Sequence, residues 1–538
     1  MSEAAAATVG SQKGILGWIE RTGNKLPDPV FLFFWLIAGL MTVSILASLA
    51  GWSAVHPTEI DETTGVATVI TAASLISAEN IQRLWVEMPQ TFTHFHPLGY
   101  VLVVMLGAGV AERAGLFGTA MRAGVRGAPV SLLTPIVVLV GMMGNLAADA
   151  AYVVLIPLAG IIFHAAGRHP IAGIAASFAG VSGGFSANLL PGQLDALLFG
   201  ITEAAVETVF GDFTANIAGN WYFIAAMVVV FIPVIWYVTD RMIEPRLGKW
   251  NPAMAGSAAP EEASDRDLTA EESKGLKLAG LAALFVIGLW LAFTLGPGTP
   301  LINEDATPEA RLTPFYQSLV AGFFLLFLLT GWAYGKAAGT ITDHRSLVKM
   351  MSESMADLAY YLVLAFAAAH FVAMFAWSNL GLILAVHGAD ALSASGLPAW
   401  ALLAAIILLS GVLNLFIGSA SAKWALLAPV MVPMLMLLGI SPEMSTAAYR
   451  VGDSATNIIT PLMVYFPLIL IFCQRWQKDF GIGSLAATML PYSIGLMVVG
   501  IALAIGWVVL DVPLGPGASV FIEVPGQVSA PVATPPAS

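Results

Sequence analysis

Asn414-Leu-Phe-Ile-Gly418-Ser419-Ala-Ser421-Ala-Lys423-Trp424 interrupts the apolar stretch 397–439, and Arg450-Val-Gly-Asp453-Ser454-Ala-Thr456-Asn457-Ile-Ile-Thr460-Pro461 follows inside the next one. An earlier pair of segments looks similar: Asn145-Leu-Ala-Ala-Asp149, then Ser182-Gly-Gly-Phe-Ser186-Ala-Asn188-Leu-Leu-Pro191 with Asp195 just beyond. An ionised side chain at bilayer depth costs about 2.5–3.5 kcal/mol even on insertion scales, so such residues face a polar cavity or an ion path. Polar, interrupted apolar segments at matching places in two halves of a chain are the sequence mark of a secondary transporter's binding site.

Composition agrees with a membrane setting. Of 538 residues, 58% are hydrophobic and 10% charged, against about 25% charged in soluble domains. The net charge of −12 comes with dispersed basic residues, which excludes a nucleic-acid surface. A single cysteine, Cys473, and eight scattered histidines leave no disulfide framework and no zinc site. Residues 1–28 lack the apolar core of a cleaved signal peptide and read as a cytoplasmic N-terminus.

Apolar runs near 29–50, 97–118, 170–200, 219–240, 275–296, 314–334, 357–388, 444–473 and 485–510 predict nine crossings. Stretches 129–166 and 397–439 are each split by a polar sequence into short halves, and read as re-entrant hairpins. Of the 22 Lys and Arg, Arg83 and Arg311 fall on one side under this scheme, and Lys423 and Arg450 lie within the membrane. All the others share the opposite side. The positive-inside rule then places the N-terminus in the cytoplasm and the C-terminus outside. Hairpin 129–166 has Arg126 and Arg168 at its feet, whereas 397–439 has no basic residue at either foot. The two therefore enter from opposite leaflets, as an inverted repeat requires. The expected fold is an all-α polytopic membrane protein with nine transmembrane helices and two opposed hairpins. Its halves, 29–240 and 275–510, are joined by a polar, mobile cytoplasmic linker, 241–274. Residues 51–96 form a long external segment, 335–356 an interfacial helix, and 511–538 an external disordered tail.

Helix breaks at membrane depth free amide N–H groups and carbonyls that must line a cavity. Ser182-Gly183-Gly184 and Gly418-Ser419-Ala420-Ser421 allow such breaks. Asn145, Asn188, Asn414 and Asn457 supply neutral oxygens for a hard cation such as sodium, and Asp453 the negative charge. Interhelical hydrogen bonding is the plainer role for these asparagines. Arg450 and Asp453, three apart on a helix, share a face and suit an ion pair. Arg450 would otherwise hold a substrate carboxylate, Trp424 stack on an aromatic ring, and Ser419 or Ser421 meet polar edges. Asp195 is a gate or a proton-titratable group, and Asp149 a helix cap. The two polar units are expected to face each other across a wet pocket.

These residues resemble the AbgT family of p-aminobenzoyl-glutamate transporters, from about Gly14 to Leu510. The resemblance is carried by Gly107-Ala-Gly-Val-Ala-Glu112-Arg113-Ala-Gly-Leu-Phe-Gly118, His370-Phe-Val-Ala-Met-Phe-Ala-Trp377-Ser-Asn379-Leu-Gly381, Gly418-Ser-Ala-Ser-Ala-Lys-Trp424, and Arg450-Val-Gly-Asp-Ser-Ala-Thr-Asn457 with Pro461. It implies a bacterial inner-membrane homodimer with a bowl open to the cytoplasm. It implies uptake of aminobenzoyl-glutamate in some members and export of sulfonamide antimetabolites in others. Family substrate-site residues carry over onto Asp195, Ser421, Trp424, Arg450, Asp453 and Pro461, and a sodium site onto Asn414, Asp453 and Asn457. No organic cofactor is implied, only Na+ or H+ as coupling ion. Two rivals stand beside this reading, an enzyme of a different class and a carrier of a related one. Gly452-Asp453 with Asp149 or Asp195 is compatible with an intramembrane aspartyl protease, but Arg450 beside the carboxylate disfavours its protonation. A sodium-coupled dicarboxylate carrier of similar hairpin architecture would use Arg450 without Trp424.

Overall fold

A computed structural model of the protein describes residues 28–60, 67–125, 129–147, 150–207, 216–251, 268–305, 311–460, 463 and 465–523. With few polar partners in hydrocarbon, the backbone satisfies itself by forming helices. Among the described residues, six helices are long and apolar enough to cross a membrane: Val30–Leu49, Trp221–Leu247, Ala270–Thr294, Leu319–Ala338, Ala359–Trp377 and Ile482–Leu510. A seventh candidate, Leu98–Arg113 with Leu116–Gly124, is bent by 64° where Gly115 takes a φ of +92°.

Seven shorter helices carry the polar segments: α1 (Leu133–Gly144), α2 (Ala150–Ala165), α3 (Pro170–Phe178), α4 (Gln193–Glu207), α5 (Ala399–Asn414), α6 (Ala420–Met436) and α7 (Pro442–Thr456). The two remaining runs read as single crossings, 170–200 and 444–473, are each broken. Helix α3 ends in a π turn at Ala179–Gly183, and regular helix resumes only at Gln193. Helix α7 ends at Thr456, and the next helix is Phe466–Trp476. The expected break at Ser182-Gly183-Gly184 is present because the chain is pressed against a neighbour there: a Cβ on Gly184 would sit 2.7 Å from Met142 Cγ. The run 357–388 also divides, after Trp377, where Asn379 adopts a φ of 59° ahead of Leu380–Ala394.

Helix α7 is the polar one, yet every residue from Pro442 to Thr456 is buried. It packs against α4, α5, α6 and Ile482–Leu510. Gly452 lets α5 approach closely, because a Cβ there would collide with the backbone oxygen of Ile407. Helices Ala270–Thr294, Leu319–Ala338 and His96–Arg113 pack together at the periphery. The first of these is mostly exposed along its apolar length, as a lipid-facing helix is.

The C-terminal end of α2 is tied down by Arg168, which donates to Thr134 Oγ1 at 2.8 Å and pairs with Asp240 and Glu244 at 2.5 Å each. The segment after Leu49 forms an antiparallel hairpin, Ser53–Ile60 with Ala67–Thr71, and two short helices. A helix at His344–Asp357 occupies the place expected for an interfacial one; its Asp357 and Glu353 pair with Arg113. The tail departs from expectation: residues 511–523 are packed. Leu514 and Val520 are fully buried, Tyr222 N donates to Leu514 O at 2.8 Å, and Ser441 N donates to Val520 O at 2.9 Å. Two apolar side chains and a few backbone bonds suffice to hold a Pro- and Gly-rich segment that composition alone reads as disorder. The rest of the tail, the first 27 residues, linker residues 252–267, Asp149 and Pro461 lie outside the described residues.

Candidate functional site

Four charged side chains from α4, α6 and α7 meet as two buried ion pairs. Arg450 Nη2 donates to Asp195 Oδ1 at 2.6 Å, and Lys423 Nζ donates to Asp453 Oδ1 at 2.5 Å. The Arg450–Asp453 pair suggested by their spacing therefore does not form. Although three apart on α7, the two side chains diverge around the helix. Arg450 turns toward α4 and Asp453 toward α5 and α6, and each finds an opposite charge on another element. Lys423 is fully buried, and Asp453 and Arg450 are only 1% and 2% exposed, so each charge depends on its partner. Asp195 also caps its own helix, accepting from Gly192 N at 2.7 Å through Oδ2.

The expected cation ligands do come together. Asn414 ends α5 and its amide Nδ2 donates to Asp453 O, Thr456 Oγ1 and Asn457 Oδ1 at 2.8, 2.9 and 2.8 Å. Asn414 Oδ1 accepts from Lys423 Nζ at 2.5 Å. The donor set, two amides and a carboxylate, suits a hard monovalent cation. The positive group it holds is the lysine ammonium.

Trp424, next to Lys423, is fully buried. It stacks on Tyr449 with ring centroids 4.5 Å apart, and its indole N–H donates to Thr202 Oγ1 at 2.9 Å. Thr202 in turn hydrogen-bonds Thr446 Oγ1 at 3.0 Å. Thr202, Thr446, Asp195, Arg450, Glu443 and Asn216 line a cavity of ≈ 20 Å³, enough for about one water. Arg450 Nε is buried there without a partner. Thr202, Thr446, Tyr449 and Glu443 were not singled out in the sequence. Of these only Glu443 carried a signal, an acid opening an apolar run.

Ser419 caps α6, accepting from Ala422 N at 3.3 Å, and lies 3.3 Å from Ser421 Oγ. Ser421 does not line the Arg450 cavity. It borders a separate void of ≈ 10 Å³ with Tyr361, whose hydroxyl is buried and unpartnered.

The first-half counterpart repeats the same wiring. Asn145 Nδ2 donates to Gly184 O just as Asn414 Nδ2 donates to Asp453 O, and each acceptor lies 39 residues on. Asn188 follows Gly184 at the interval by which Asn457 follows Asp453. Here Gly replaces the aspartate, and Val154 stands at the place of Lys423. The Oδ1 atoms of both Asn145 and Asn188 are buried with no partner. The two breaks touch directly, Ser186 N donating to Ser454 Oγ at 3.0 Å. Ser186 is 3% exposed, so the duplicates meet in packed contact, where a wet pocket was expected.

Charge buried and paired across discontinuous helices, with the asparagine wiring repeated in the two halves of a multi-pass chain, is the arrangement of a membrane transporter. Residues 14–522 match the family described as "AbgT putative transporter family", and the chain belongs to that family. It is 36% identical over 508 residues, 94% of this chain and 97% of the relative, to the p-aminobenzoyl-glutamate transport protein of Escherichia coli (strain K12). Among solved structures it resembles the YdaH transporter of Alcanivorax borkumensis, described as having an unusual topology. That match has a TM-score of 0.83 and 41% identity, covering 91% of this chain and all of the other. It also resembles Neisseria gonorrhoeae MtrF, described among a class of antimetabolite efflux pumps, with a TM-score of 0.86 and 41% identity over 94% of this chain and all of the other. The family and these relatives are transporters, not enzymes. The carboxylates agree: Asp453 and Asp195 each face a cation, not one another.

Proposed function

We propose that this chain is an ion-coupled secondary transporter of p-aminobenzoyl-glutamate-type folate catabolites, or an exporter of sulfonamide antimetabolites. The reading rests on one observation above all: Arg450, buried with a spare Nε donor, lines a small cavity together with Thr202, whose hydroxyl binds Trp424. A carboxylate or sulfonyl group suits the guanidinium, and an aromatic ring suits Trp424 and Tyr449. The names of the relatives support the same substrate class.

The substrate would contact Asp195, Ser419, Ser421, Trp424, Arg450, Asp453 and Pro461. The cavity is far smaller than such a molecule, so binding requires the helices around it to open, as alternating access does. Sodium or a proton is the coupling ion, sodium held by Asn414, Asp453 and Asn457, with Asn145 and Asn188 as the first-half counterpart. We further infer nine crossings, with α1–α2 and α5–α6 as hairpins entering from opposite leaflets. The chain would form a homodimer in a bacterial inner membrane, with its N-terminus cytoplasmic and C-terminus periplasmic. Proteoliposomes with imposed sodium or proton gradients test this reading. Gradient-driven flux of p-aminobenzoyl-glutamate or a sulfonamide is expected. Flux of aliphatic dicarboxylates alone, unaffected by Trp424→Ala, would favour the dicarboxylate carrier instead.

A further inference from the structure

We propose that the Lys423 ammonium is the resident cation of the Asn414–Asp453–Asn457 site, and that a free metal ion enters only after Lys423 Nζ has left. Three side-chain oxygens of the site are already engaged. Asn414 Oδ1 and Asp453 Oδ1 take Nζ at 2.5 Å, and Asn457 Oδ1 takes the Asn414 amide. Lys423 is fully buried, so no solvent screens it from a second positive charge on the same carboxylate.

The first half shows what the lysine does. Where Val154 stands at its place, the side-chain oxygens of Asn145 and Asn188 are buried and orphaned. Where Lys423 is present, the corresponding oxygens are satisfied. In the second half the ammonium thus satisfies the amide and carboxylate oxygens that the repeated scaffold brings together.

Placement gives the lysine a second role. Lys423 lies in the first turn of α6, directly after the break at Leu415–Ser419. Its neighbour Trp424 donates to Thr202 at the cavity wall. Withdrawing Nζ from Asp453 shifts that turn and carries the indole with it, so cation entry and the aromatic wall of the cavity move together. This coupling rests on the substrate reading above; the residency of the lysine does not.

The test uses the purified full-length protein without substrate. Thermal unfolding is followed in sodium, potassium and choline chlorides at constant ionic strength. Lys423→Met strands Asp453 in a buried site. It is expected to be destabilised in choline and recovered selectively by sodium, with apparent sodium affinity at least about a hundredfold above wild type. Lys423→Gln, which keeps a hydrogen-bond donor for Asp453, should gain sodium sensitivity in the same direction. Lys423→Arg retains a positive charge and should not gain it. If neither neutral variant gains a sodium response over wild type, the proposal is overturned. Because no substrate is present, failure to transport aminobenzoyl compounds would leave this result standing, and the reverse also holds.

Discussion

Asp195→Asn isolates the worth of the Arg450 pair. The change removes the negative charge but leaves an acceptor for Gly192 N, so the start of α4 remains capped. Arg450, 2% exposed, is left as an uncompensated buried cation, which costs about 3–5 kcal/mol. The contact is a single Nη2–Oδ1 bond with Nε unpartnered, so the lower end, about 3 kcal/mol, is expected. Arg450→Met strands Asp195 in the same way, less severely because Gly192 N still supports the carboxylate. In the double variant neither charge remains, and replacing both members of a buried pair is close to neutral. The double-mutant cycle should therefore give a favourable coupling close to the sum of the two single losses, more than about 3 kcal/mol. Asp195→Ala should fall below Asp195→Asn by about 1 kcal/mol through loss of the cap. Equilibrium unfolding in mixed micelles measures each variant. A double variant no more stable than its weaker parent would refute the pairing.

Trp424→Phe keeps the stack on Tyr449 and loses only the bond to Thr202, a cost of about 0.5–1.5 kcal/mol; Trp424→Ala should cost about 3–5 kcal/mol. Both are read by denaturant midpoint, and equal losses would contradict the geometry. Leu514→Ala should destabilise by about 2–5 kcal/mol if the tail is packed as described, whereas a near-zero effect on the midpoint would return 511–523 to a loose tail. His169, the N-cap of α3, accepts from Ile171 N through Nδ1, and burial lowers its pKa from 6.5 against the opposing pull of Glu244. The unfolded chain thus binds the proton more readily. Its contribution to stability is fully present above pH 6.5 and is lost as the pH falls toward the depressed folded value. Relative to His169→Asn, which preserves the cap, the wild type should lose stability as the pH falls below 6.5, and parallel profiles would contradict this.

The sequence by itself determined the class of protein and which polar side chains lie within its apolar runs. Charge and amide side chains within apolar runs are too costly in hydrocarbon to be incidental, so Lys423, Arg450, Asp453 and the four asparagines declared themselves. The break at Ser182-Gly183-Gly184 was legible for the same reason, since small residues at membrane depth permit unwound backbone only where it is covered. Tertiary structure alone decided who pairs with whom. Spacing put Arg450 beside Asp453, but the rotation of α7 and the identity of its neighbours sent one to Asp195 and the other to Lys423. Those partners come from other helices, one 255 residues away and one on the helix just before, and no local periodicity encodes which face meets which. The same holds for Thr202, unremarkable in its own helix yet the partner of Trp424, and for Leu514 and Val520, anchors in a segment whose composition suggested none.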